Sequence, residues 1–116
     1  MAIRVLNFKE YDMSNFHHFG VPVSVEQENE TYIEGAKVFI TDPESHPYRV
    51  EYLRFEKDSP MPEDVINKAH AAFVVDDLKA ALEGENVIIE PFEATESIRA
   101  AFINDKGAII ELMENI

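Results

Sequence analysis

The stretch HAAFVVDDL, residues 70–78, reads as a β-strand running into a helix. Successive side chains of a strand point to opposite faces, so Ala71, Phe73 and Val75 fall on one side and His70 on the other. Asp76 or Asp77 is placed to cap a short helix in which Leu78, Ala81 and Leu82 have the spacing of a buried face. Gly84 ends it. Downstream, NVIIEPF (86–92), SIRAAFIND (97–105) and GAIIELME (107–114) supply three more strands, the last two joined by a tight turn at Asp105-Lys106-Gly107. The order is β-α-β-β-β. On the last strand Ile110 and Leu112 point one way and Glu111 the other. The apolar members pack under the helix, which leaves His70 and Glu111 to share the opposite face.

Upstream, the pattern repeats weakly. MAIRVLN (1–7) alternates as a strand, with Ile3, Val5 and Asn7 on one side. In FHHFGVPV (16–23), Phe19, Val21 and Val23 share one face while His18, Gly20 and Pro22 share the other. A glycine and a proline inside a strand point to an edge position or to a close approach on that second face. The acidic segment 26–34 carries no apolar stripe and is a short helix at best. AKVFITD (36–42) and YRVEYLRF (48–55) are strands separated by a proline-bounded turn, in which His46 is a turn residue. KDSPMPED (57–64) reads as a linker. Each half therefore opens on a histidine strand and closes on a glutamate strand. His18 and Glu51 are 33 positions apart and His70 and Glu111 are 41, so the first half is short by about the length of a strand or helix. The expected organisation is one domain, 1–116, with a first module at 16–57, a linker at 58–68 and a second module at 69–116.

Composition narrows the function. A chain of 116 residues, 46% of them hydrophobic, supports one core. With 23 acidic residues against 10 basic ones the formal charge is −13, which repels phosphate backbones and anionic lipid. Nucleic acid and membrane are excluded as expected partners, and a small-molecule ligand is the expectation that remains. No cysteine is present, so disulfides, thiolate metal sites and cysteine nucleophiles are ruled out. Without a leader-like start or a long apolar run, a cytoplasmic protein is expected. The eight phenylalanines are too scattered for a stacking platform and read as core.

The phrases HAAFVVDDL, RAAFINDKG (99–107) and IIELM (109–113) resemble the vicinal oxygen chelate superfamily, the group of glyoxalases, fosfomycin- and bleomycin-resistance proteins and extradiol dioxygenases. The resemblance runs from about Phe16 to the C-terminus. It implies an α+β fold in which two β-α-β-β-β modules, the first shortened, form a cupped, incomplete barrel. It also implies a divalent metal (nickel, zinc, manganese or iron) held by His18, Glu51, His70 and Glu111. Two neutral imidazoles and two carboxylates suit a first-row divalent ion, and a mid-strand carboxylate among Ile, Leu and Met is costly to bury unpaired. No local spacing such as HExxH supports the set independently. Each residue also has a plainer reading: His18 as a strand-end surface ring, Glu51 in a salt bridge with Arg49 or Arg54, His70 as a hydrogen-bond partner of Glu111.

The implied activity is a glyoxalase-like metal-dependent isomerase, lyase or epimerase acting on a substrate with adjacent oxygens. Glu51 or Glu111 would be the catalytic base. Arg99 would bind an anionic end of the substrate if its side chain enters the cup. Two alternatives stand beside it: a three-ligand metal dioxygenase or transferase using His18, His70 and Glu111, and a metal-free module binding a small, possibly cationic, molecule. The resemblance further implies a homodimer, and a strand missing from the first module would leave a sheet edge to be covered.

Overall fold

The computed structural model describes residues 15–116, so the strand expected over 1–7 lies outside the described residues. Eight strands, β1 (Phe16–Pro22), β2 (Thr31–Ile33), β3 (Val38–Ile40), β4 (Val50–Phe55), β5 (His70–Val74), β6 (Val87–Thr95), β7 (Ile98–Asp105) and β8 (Ala108–Asn115), form one mixed sheet. Its order is β2-β3-β4-β1-β5-β8-β7-β6, so the second half repeats the first in mirror order about the β1–β5 junction. β1 runs parallel to β4 and β5 parallel to β8, while β1 and β5 pair antiparallel and join the halves.

The second half folds as its pattern predicts. Asp77 caps the helix Leu78–Ala81 by accepting a hydrogen bond from the Ala80 amide at 3.2 Å, and Gly84 follows it at φ +76°. Leu78 is buried with Ala101, Ile103 and Leu112, with Phe73, Val75 and Ile110 packed around them. The β7–β8 hairpin turns through Lys106 and Gly107, both at positive φ, and the Asn104 side chain accepts from the Gly107 amide at 2.7 Å. Pro91 sits in β6, an edge strand where its missing N–H costs no ladder bond.

Of the two elements that the first half could lack, a strand or a helix, the structure decides for one. No strand is missing: all four are present, but β2 and β3 have three residues each, against nine and eight in β6 and β7. What is lost is the helix. Residues 23–30 cross without a helical turn, as an acidic segment with no apolar stripe has no face to bury. One consequence is that Phe19, on the face that the helix covers in the second half, is 49% exposed.

The linker is also more than a connection. A helix, α1 (Glu63–Asn67), follows Pro62 and buries Val65 with Phe102 and Ile109 of the second half. Met61 packs both there and against the first-half cluster of Ala36, Val38 and Leu53. The segment 61–67 therefore braces the two halves across the concave side of the sheet. The helix at Leu78–Ala81 is α2. No helix among the described residues is long and apolar enough to cross a membrane.

Candidate functional site

Strand register brings four of the singled-out residues together. Across the adjacent strands β4, β1 and β5, Glu51 stands beside Gly20, which stands beside His70. Two residues along, His18 on β1 stands beside Ala72 on β5, which stands beside Glu111 on β8. Each row thus places one imidazole, one carboxylate and, between them, a residue with little or no side chain. The two rows are related by the same mirror order as the strands.

The side chains converge over those small residues. His18 Nε2 lies 3.4 Å from Glu51 Oε1 and 3.4 Å from Glu111 Oε1, and His70 Nε2 lies 3.1 Å from Glu111 Oε1. The donor atoms of His18, Glu51 and His70 all lie within 4.8 Å of one another. His18, His70 and Glu111 are buried, and Glu51 is somewhat more open. The salt-bridge alternative for Glu51 does not match its surroundings: Arg54 pairs with Glu30 at 2.7 Å, and Arg49 donates to the His17 carbonyl at 2.6 Å.

This packing sets the charges. Burial disfavours the charged form of His18, but Glu111 and Glu51 beside it outweigh that and push its ring up to about 9. Burial likewise disfavours ionised Glu111, but His18 and His70 hold it down to about 2. His17 moves the other way: burial, then the neighbouring His18 and Arg49, depress its pKa and keep it neutral.

Two further residues matter here, one against the strand alternation and one in line with it. His17 should face away from His18, yet their Nδ1 atoms are 2.7 Å apart. A register shift between Phe16 and His18 rotates the backbone and brings both rings to the cup. One Nδ1 donates to the other across this contact, and the His18 Nε2 is left facing the carboxylates. Gly20 is the second. A Cβ built there would overlap the His70 ring, so the close approach anticipated from a glycine inside a strand is real, although β1 is central rather than an edge.

Arg99 does not enter the cup. It lies on the helix-covered face with Glu114, its Nη1 3.3 Å from Glu114 Oε1, because Ala101 and Ile103 share its phase and pack under α2. The inward set of β7 is Ile98, Ala100 and Phe102. The role in substrate binding expected of Arg99 is therefore at odds with its position.

Over His18, Glu51 and Glu111 opens a cavity of about 560 Å³, walled by side chains such as Val38, Leu53, Phe55, Phe92 and Met113. Its size is typical of small-molecule sites. The donor set fits a divalent metal on two counts. His18 Nε2 is buried without a hydrogen-bond partner, its 3.4 Å approaches to two carboxylate oxygens being badly directed for hydrogen bonds. Separations of 3.1–3.4 Å are also the spacing of neighbouring ligands around an ion with bonds of about 2.1 Å. His70 Nδ1 is buried without a partner as well.

No family model and no curated protein sequence matches the chain. Among solved structures it is similar to methylmalonyl-CoA epimerase from Mycobacterium tuberculosis, at 18% identity over 89% of each chain with a TM-score of 0.59. It is equally similar to a hypothetical protein, BH1468, from Bacillus halodurans C-125, at 15% identity over 89% of this chain and 96% of that one, with a TM-score of 0.60. These likenesses show the fold alone: the curled eight-stranded sheet has the cupped α+β architecture of those two structures.

Proposed function

We propose, from the vicinal oxygen chelate fold and the four donors gathered in its cup, that this chain is a cytoplasmic, metal-dependent isomerase, lyase or epimerase of the glyoxalase type. The observation that carries the reading is the unpartnered, buried His18 Nε2 set 3.4 Å from two carboxylate oxygens. His18, His70, Glu111 and Glu51 would hold a divalent ion; bound there, it supplies Lewis acidity to two adjacent substrate oxygens and acidifies the neighbouring C–H. The chain's own residues do the rest. Glu111 sits between two imidazoles and acts as the anchor. Glu51 has a single imidazole neighbour, His18, and is the less buried of the two carboxylates, so it is the better placed base. It would take the proton from one carbon and return it to the adjacent carbon, which gives isomerisation. His17 holds His18 in the tautomer that turns Nε2 inward. Phe19, exposed on the first half's outer face, is consistent with the expected homodimer.

One observation favours a second reading: the imidazoles and carboxylates already neutralise one another, as a metal-free binding module would require. A single experiment separates the readings. Protein purified without chelator or affinity-tag metal is expected to carry near-stoichiometric nickel, zinc, manganese or iron by elemental analysis. In D2O it is expected to exchange the carbon-bound proton of a small α-hydroxyketone, and Glu51→Gln is expected to keep the metal and lose the exchange. Metal and activity both indifferent to Glu51→Gln would favour the three-ligand dioxygenase or transferase. A protein that neither carries nor takes up metal would be the binding module.

A further inference from the structure

We infer that the cup selects uncharged, largely apolar molecules and turns away anionic ones, so that the substrate of the proposed reaction is a neutral diketone or hydroxyketone rather than a carboxylate or phosphate ester. This names the substrate class for the site and rests on the metal-dependent reading.

The argument is one of charge placement. Among the described residues that line the cavity there is no lysine or arginine, while Glu44, Glu51 and Glu111 all face it. The described cations that the sheet might have supplied are engaged elsewhere. Arg49 turns to the His17 carbonyl, Arg54 to Glu30, Lys37 to Asp58 and Arg99 to Glu114. The imidazoles of His18 and His70 already lie against the carboxylates of Glu51 and Glu111, 3.1–3.4 Å away. A divalent ion against Glu51 and Glu111 is likewise balanced and offers no surplus positive charge. An anionic substituent entering these walls of Val38, Leu53, Phe55, Phe92 and Met113 would lose its hydration and gain no cationic partner among the described residues. The formal charge of −13 repels it before it arrives. Hydrogen-bonding groups are confined to places such as Thr95, Ser97 and Asn115, which suit carbonyl and hydroxyl oxygens.

A matched pair of probes tests this. 1-Phenyl-1,2-propanedione and benzoylformate share a phenyl ring and two adjacent oxygens but differ in charge. Binding is measured by ligand-observed NMR titration at pH 7, on the metal-loaded and the chelator-treated protein. The diketone is expected to bind at least about tenfold more tightly in both states. Glu44→Lys, an exposed residue of the rim, is expected to narrow the gap by strengthening benzoylformate. Equal or tighter binding of benzoylformate to the unaltered protein, or no binding of either probe, would overturn the inference. The two proposals fail separately: diketone preference in a protein that takes up no metal supports the cup's selectivity and sinks the enzyme, whereas benzoylformate preference leaves the metal centre intact and sinks the selectivity.

Discussion

Gly20→Ala is expected to weaken divalent-metal binding by about two orders of magnitude, close to the effect of His70→Ala, although residue 20 carries no donor atom. The added methyl would overlap the His70 ring. Backbone on both sides of residue 20 is fixed by its pairing with Glu51 and with His70 itself, so the ring is what moves. Losing the orientation of a ligand costs about 10–100-fold in affinity, and displacing the ligand outright reaches the upper end. Folding should suffer less, by about 1–3 kcal/mol, the usual cost of overpacking. Gly35→Ala is the control, since a Cβ there meets nothing within 4 Å. Competition against a chelator measures the affinity, and thermal melts in excess chelator measure the fold. Wild-type affinity in a normally folded Gly20→Ala protein would remove His70 from the ligand set.

Glu111→Gln is expected to destabilise the chelator-treated protein, with a pH dependence that identifies its cause. The amide keeps the shape of the side chain and removes the charge that helps lift His18 to about 9. A buried histidine raised that far contributes on the order of 2 kcal/mol at neutral pH, and Glu111 supplies part of it alongside Glu51. For a chain of this size the melting temperature should fall by roughly 5–10 °C. The sign follows from the direction of each shift. His18 is raised, so its contribution is complete below its ordinary value of about 6.5 and disappears as the pH climbs through about 9. Glu111 is depressed, so its contribution is present above its ordinary 4.5 and disappears as the pH falls toward about 2. Both describe the same contacts and are not added. The gap between Glu111→Gln and the parent should therefore be widest from about pH 4.5 to 6.5 and should close above pH 9. A gap that persists unchanged at pH 10 would mean that Glu111 stabilises by packing rather than by charge.

Much of this site was legible in strand alternation. His70 and Glu111 interrupt faces whose other phase is apolar, and both stand where the pattern puts them. Glu51 was harder, because Leu53 and Phe55 share its phase. The reason is physical: the cup is apolar too, so hydrophobic alternation does not distinguish a face under a helix from a face around a cavity. The same ambiguity hid the orientation of Arg99, which sits between Ile98 and two fully buried alanines, Ala100 and Ala101. His17 was obscured by a register shift, a defect in the alternation itself. Helix α1 escaped notice because five residues with one buried side chain, Val65, have no period to detect. The first half was read as short by a strand or a helix, and the structure decides for the helix: all four strands are present, two of them trimmed to three residues.

The mirror strand order also bears on how the protein breathes. The four donors lie on β4, β1, β5 and β8, the middle of the sheet, while β2 and β6 form its margins and carry none of them. Amide hydrogen exchange should accordingly be fast along the three-residue β2 and slow around His18 and His70. Fraying at the margins would widen or narrow the chamber without disturbing the four side chains, so the space for a guest changes over a centre that stays assembled.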